Sequence, residues 1–114
     1  MAVPLYQAKA EFFRTLGHPV RIRVLELLQN GPTPVRELLS ALDIEASNLS
    51  QQLAILRRSN LVTATRDGAT VVYALSTPDV AELLMAARRI LSTVISGQGQ
   101  LLAELRAGAE EVQA

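Results

Sequence analysis

The chain of 114 residues contains no cysteine, a single histidine and no net charge, and only 4% of its residues are aromatic. The absence of cysteine excludes disulfides, thiolate metal sites and thiol redox sensing. No apolar run of 18 residues occurs, and no charged start precedes an apolar segment, so neither a transmembrane helix nor a signal peptide is predicted. We therefore expect a cytoplasmic protein without a membrane partner.

The residue sets on which most enzymes depend are also missing. The sequence offers no Cys-His or Ser-His-Asp set, no Gly-rich phosphate loop and no pair of carboxylates in an apolar setting. A stable zinc site needs about four ligands, which one histidine cannot supply. We expect no catalysis, no metal and no cofactor. For His18, next to Pro19 at a predicted helix start, a capping or packing role is favoured over that of a ligand or pH switch.

Aliphatic residues are abundant, because 49% of the chain is hydrophobic although so few residues are aromatic. A chain of this length has room for one domain, which we expect to span residues 1–114. So much apolar surface in a small domain indicates burial by a partner subunit. Charge is unevenly distributed: residues 14–66 carry seven arginines against four acids, and residues 67–114 carry three arginines against six acids. A basic first half suits a nucleic-acid partner.

Apolar periodicity and helix-capping residues predict five helices. The first covers residues 5–16 and the second residues 19–28, with Arg21 facing outward. Thr33 and Pro34 are expected as N-cap and first residue of the third. The third helix leads through a tight turn into the fourth, so that residues 34–58 form a helix-turn-helix.

The fourth helix has one apolar face, formed by Leu49, Leu53 and Leu56, and one small polar face. The polar face consists of Ser47, Ser50, Gln51, Ala54 and Arg58. Hydroxyl and amide groups both donate and accept hydrogen bonds, which suits base edges in a major groove.

A β-hairpin over residues 62–75 is predicted next, because β-branched and aromatic residues flank the turn signal Asp67-Gly68. Arg66 lies beside this turn, where it could reach a phosphate or a minor groove. The alternative for Arg66 is a solvated loop charge.

The last helix, residues 78–96, carries apolar residues on two sides, more than its own subunit can cover. We expect it to form a homodimer with its copy and with the helix in residues 1–16. The expected interface residues are Leu5, Phe12, Leu16, Leu83, Leu84, Ala87, Leu91 and Val94. The tail, residues 97–114, could form a short helix or fray.

Four segments in this order, LGHPVRIRVLELL, PVRELLSAL, SNLSQQLAILRRSNLV and RDGATVVYAL, resemble the ArsR/SmtB family of bacterial winged helix-turn-helix repressors. The resemblance covers roughly residues 5–95 and is greatest for cysteine-free actinobacterial members, including homologues of the mycobacterial hypoxia type. It implies a mainly α fold with a small β-hairpin in the order α-α-α-α-β-β-α. It also implies a homodimer, joined through its first and last helices, that binds double-stranded DNA at a palindromic operator.

The family pattern implies which residues contact DNA. By this resemblance Ser47, Asn48, Ser50, Gln51 and Gln52 face the DNA, and Arg66 lies in the wing. Among them, the amides of Gln51 and Asn48 can pair bidentately with adenine. Arginines are expected to hold phosphates, which position a protein without reading sequence. These are Arg21, Arg36, Arg57 and Arg58.

The chain departs from the metal-sensing members of that family. The thiolate sensors have Cys-x-Cys in the third helix, where this chain has Pro34 and Arg36. The zinc sensors use Asp and His pairs in the last helix, where only Asp79 remains, with Ile90 and Thr93 at the partner positions. We therefore expect a sequence-specific repressor that is not a thiolate metal sensor, controlled either by a small-molecule effector or by its own abundance.

A second hypothesis is a winged helix that binds proteins without specific DNA binding, because fold alone does not fix function. Such a module should carry aromatic or large aliphatic anchors on its recognition face. The Ser, Asn and Gln residues of this face favour DNA.

Overall fold

The computed structural model describes residues 2–94 and 103–108. Its chain divides into two compact units, Met1–Ala81 and Glu82–Ala114. The elements are α1 (Leu5–Leu16), α2 (Pro19–Leu28), β1 (Thr33–Pro34), α3 (Val35–Ala41), α4 (Ala46–Arg58), β2 (Val62–Asp67), β3 (Thr70–Leu75) and α5 (Pro78–Val94). The predicted order of helices and hairpin is confirmed, and β1 is an additional strand. Within the described residues, no helix is long and apolar enough to cross a membrane.

The junction between α1 and α2 is a capped helix start. The backbone N–H of Val20 donates to His18 Nδ1 at 3.2 Å, and Pro19 occupies the first helical position. Proline suits this position because its fixed φ is helical and the N–H it lacks would have had no helical acceptor. The expected capping role of His18 is thereby confirmed.

Thr33 and Pro34 were expected to begin α3, and this expectation is wrong. They form β1, which pairs antiparallel with β3 through the partners Thr33↔Tyr73 and Pro34↔Val72, and α3 begins at Val35. The Thr33 hydroxyl donates to the Gly31 carbonyl at 2.9 Å instead of capping the helix. Proline is tolerated here because β1 is an edge strand.

The wing is the hairpin of β2 and β3, in register from Val62↔Leu75 to Asp67↔Thr70. Its two-residue turn is Gly68-Ala69, and Gly68 has a φ of +65°. A positive φ at the first central residue is the pattern of a type II′ turn, where glycine is favoured. The third strand, β1, lies beside β3, so the sheet order is β1-β3-β2.

A Schellman motif ends α4 and starts the wing. The Leu61 N–H donates to the Leu56 carbonyl and the Asn60 N–H to the Arg57 carbonyl, both at 3.0 Å. Asn60 has a φ of +60°, which asparagine tolerates better than most residues. Leu56 and Leu61, the positions that commonly form an apolar contact in this motif, are both buried.

The core of the first unit lies where α2 packs against α4 and where both helices contact the sheet. The buried apolar residues of this unit are Leu16, Val24, Leu25, Leu28, Leu38, Leu49, Leu53, Leu56, Leu61, Val62 and Val80. The expected leucine stripe of α4 is therefore confirmed as core. Leu16, expected at the dimer interface, is only 8% exposed within its own chain and has little surface left for a partner.

In the second unit, the part of α5 beyond Ala81 keeps several large apolar residues at the surface. Ile90 and Val94 are 62% and 69% exposed, and Leu91 is 47% exposed. Residues 103–108 are helical, and the Arg88 Nη1 donates to the Leu105 carbonyl at 3.2 Å. The remaining residues of the predicted tail, and the last two of the predicted fifth helix, lie outside the described residues.

Candidate nucleic-acid interface

The exposed face of α4 is polar and free of acidic side chains. Ser47, Ser50 and Gln51 are exposed on it, and the sequence of α4 contains no Asp or Glu. At 100° per residue, Ser47 and Gln51 lie opposite Leu49, Leu53 and Leu56, which anchor the helix on the core. Ser50 lies to the side of this leucine stripe. The helix thus presents hydroxyl and amide groups on a rigid support.

Arg57 and Arg58 lie in the last turn of α4 and are both exposed. A rise of 1.5 Å per residue puts Arg57 roughly 15 Å along the axis from Ser47. When the first turns of a recognition helix enter a major groove, side chains this far along are at the level of the phosphates. Basic residues there also interact favourably with the helix dipole, which alone would account for their position.

Gln52 lies on the buried side of α4, although it was expected to face DNA. Its side chain is 8% exposed, and its Oε1 accepts a hydrogen bond from Arg21 Nε at 2.8 Å. Gln52 follows Leu49 by three residues and precedes Leu56 by four, so helical spacing places it beside the leucine stripe. This spacing was the sequence signal for its burial.

Arg21 was expected to face outward and hold a phosphate, but it is partly buried and held by two acceptors. Besides Gln52, it donates from Nη1 to the Thr15 carbonyl at 3.0 Å. Arg21 lies in α2, and its two bonds join the last turn of α1 to α4. Arg21 and Gln52 are 31 positions apart in the sequence. Arg21 is therefore a structural link between helices.

Asn48 completes this group of side chains at the edge of the polar face. Its Oδ1 accepts a hydrogen bond from Gln52 Nε2 at 3.1 Å, and its side chain is partly exposed. Asn48 can therefore contact a molecule bound to the exposed face of α4, whereas the buried Gln52 cannot.

The wing and α3 supply the remaining arginines. Arg66 is exposed on β2 opposite Val71, next to the turn. Arg36 is exposed on α3, and its Nη1 lies 3.3 Å from Thr70 Oγ1 at the start of β3. This contact links the helix-turn-helix to the wing, and the sequence pattern gave no indication of the part played by Thr70.

The described part of the chain contains no cluster of metal-binding side chains. Among residues 2–94 and 103–108, no three His, Cys, Asp or Glu side chains come together as a metal site.

Two surface ion pairs each connect neighbouring turns of a helix, Arg14–Glu11 in α1 and Arg23–Glu26 in α2. Such pairs contribute little to stability.

The helix-turn-helix of α3 and α4, followed by the hairpin, defines a winged helix-turn-helix protein. Residues 18–64 match the family described as bacterial regulatory protein, arsR family. The HTH-type transcriptional regulator Rv0081 of Mycobacterium tuberculosis is 54% identical over 106 residues, which cover 92% of this chain and 93% of that protein. The chain belongs to the ArsR family of bacterial transcriptional regulators.

Solved structures give the same result. The crystal structure of M. tuberculosis Rv0081 is similar with a TM-score of 0.78 and 53% identity, over 85% of this chain and 98% of that one. The transcriptional repressor BigR from Xylella fastidiosa is similar with a TM-score of 0.69 and 33% identity, over 81% of this chain and 90% of that one. The homodimeric winged helix-turn-helix domain of Mb0332 from Mycobacterium bovis is similar with a TM-score of 0.70 and 26% identity. This match covers 77% of this chain and 82% of that one.

Proposed function

We propose that this chain is a cytoplasmic, homodimeric repressor that inserts α4 of each subunit into successive major grooves of a palindromic operator. The observation that carries the proposal is the exposed face of α4, where hydroxyl and amide groups stand without a single acidic side chain. Such a face can approach phosphates without repulsion and can donate to and accept from base edges. The exposed residues of α4, Ala46–Arg58, include no aromatic or large aliphatic side chain that could anchor a protein partner.

Specificity and affinity come from different residues in this proposal. Gln51 reads bases together with Ser47, Ser50 and Asn48, whereas Arg57 and Arg58 hold phosphates and Arg66 contacts DNA from the wing. Arg36 contributes a further phosphate contact from α3. Gln52 and Arg21 support the reading residues from behind, because their side chains are occupied within the protein.

Exposed apolar side chains support the homodimer. In α1, Leu5 and Phe13 are 69% and 56% exposed, and in α5 the exposed residues include Leu91 and Val94. Large apolar side chains so close together on one helix are usually covered by a partner. A two-fold dimer would bury these side chains in both subunits. It would also place the two α4 helices about one turn of DNA apart, on the order of 34 Å.

Selection of DNA from a randomised duplex pool by the purified protein tests the proposal. We expect an enriched palindrome with half-sites about one helical turn apart. Sedimentation should give a dimer with and without the selected duplex. A pool that shows no enrichment after repeated rounds would contradict the DNA-reading function, and a monomer on the selected duplex would contradict the two-subunit arrangement.

A further inference from the structure

Arg21, Gln52 and Asn48 form a chain of side-chain hydrogen bonds with a fixed direction. Arg21 Nε lies 2.8 Å from Gln52 Oε1, and Gln52 Nε2 lies 3.1 Å from Asn48 Oδ1. A guanidinium can only donate, so the oxygen of the Gln52 amide must face Arg21. The amino group of Gln52 then faces Asn48 and requires an acceptor there, which is the Asn48 oxygen.

The amino group of Asn48 is therefore the free end of this chain. Within residues 2–94 and 103–108, no buried side-chain nitrogen or oxygen lacks a hydrogen-bond partner. The Asn48 Nδ2 forms no hydrogen bond with these residues, so it must reach the surface. Since Asn48 Oδ1 is turned toward Gln52, the group offered to a ligand of α4 is a donor.

We propose that Asn48 reads the operator as a hydrogen-bond donor and selects a keto base, guanine or thymine, with Arg21 and Gln52 as positioning residues that fix this polarity. The inference rests on the proposed function. Guanine presents two acceptors in the major groove, O6 and N7, and thymine presents O4. The bidentate adenine contact needs the amide oxygen and the amino group to point at the base together, and here the oxygen points inward to Gln52.

The substitution Gln52→Glu should reverse the polarity without removing the support. A carboxylate accepts from Arg21 with one oxygen, so the hydrogen bond to the partly buried guanidinium is kept. Its second oxygen is also an acceptor, so Asn48 must turn its amino group inward and its oxygen outward. Asn48 would then accept from an exocyclic amine, and the preferred base would change from guanine or thymine to adenine or cytosine.

Selection from a randomised duplex pool measures this change position by position. Asn48→Ala identifies the contacted base pair as the position at which selectivity is lost. At that position the wild type should prefer a keto base, and Gln52→Glu should prefer an amino base by about 5- to 150-fold, the discrimination typical of one base contact. Asn48→Asp gives a second test, because it places an acceptor in the same location without altering the buried residues.

Gln51→Glu is the matched control, since it adds the same charge to the exposed face of α4 without touching Gln52. It should weaken binding and leave the keto preference at the Asn48 position unchanged. Thermal unfolding should show that each variant is folded.

The inference and the proposed function fail in different ways. An enriched operator at which Asn48→Ala changes no position, or at which Gln52→Glu and Asn48→Asp keep the wild-type base, would overturn the inference and leave the repressor intact. A wild-type protein that enriches no sequence would overturn both.

Discussion

The substitution Gln51→Ala should weaken binding to the operator without lowering the stability of the protein. The Gln51 side chain is exposed on α4, and among the described residues it forms no hydrogen bond. Replacing it with alanine should therefore change the free energy of unfolding by less than about 0.5 kcal/mol, as for other surface positions. The structure thus predicts a variant that is folded as well as the wild type.

The effect on the operator should be much larger. A bidentate amide contact to a base contributes about 1–3 kcal/mol, and a two-fold dimer makes that contact twice. The expected loss for Gln51→Ala is about 2–6 kcal/mol, or about 30-fold to 10⁴-fold in Kd. Binding to scrambled DNA should hardly change, because it depends on phosphate contacts and the substitution removes no charge.

Fluorescence anisotropy on the selected operator and on a scrambled duplex of equal length, at one salt concentration, measures both losses. Gln29→Ala is the control, since it removes the same amide from a residue outside α4. Equal losses on the two duplexes would refute the base-reading role of Gln51. So would a loss that is accompanied by a large fall in the unfolding temperature.

Three further substitutions test the other parts of the account. Arg57→Ala should weaken binding to operator and scrambled DNA alike and lower the salt dependence by about one unit per subunit. Arg89→Ala removes an exposed charge of α5, outside the proposed DNA contacts, and should leave binding and its salt dependence unchanged. Arg21→Ala leaves the acceptors of Gln52 and Thr15 without their donor, so urea unfolding should show a loss of about 1–3 kcal/mol, and an unaltered free energy would contradict the structural role of Arg21. Leu91→Ala removes a half-exposed side chain whose remaining burial would stabilise the dimer by roughly 1 kcal/mol per subunit, so sedimentation should show a roughly 30-fold weaker dimer, and an unchanged dimer Kd would place Leu91 outside the interface.

Most helix boundaries could be predicted because local residues determine them. Gly17 and Pro19 separate α1 from α2, and both helices have the predicted bounds. The hairpin was equally predictable from the Asp67-Gly68 signal between β-branched residues. β1 could not be found in this way, because two residues have no periodicity and their pairing partner lies about 40 positions further along the chain.

The candidate site was only partly predictable, for a different reason. The family resemblance placed Gln52 among the residues that face DNA, although its position between Leu49 and Leu56 already indicated burial. The outward orientation expected for Arg21 was wrong because its partner, Gln52, lies 31 residues away and no local pattern connects them. The exposed positions of Ser47, Ser50 and Gln51 followed from the leucine stripe, since a helix that buries one face must expose the other.

Whether the exposed face of α4 reads a specific DNA sequence is tested most directly with the wild-type protein on DNA from its own upstream region. Fluorescence anisotropy compares that duplex with a scrambled duplex of equal length at near-physiological salt. We expect nanomolar or tighter binding to the upstream DNA, with a preference of roughly a thousandfold or more. Equally weak binding to that DNA, to the scrambled duplex and to every duplex recovered by selection would contradict this expectation.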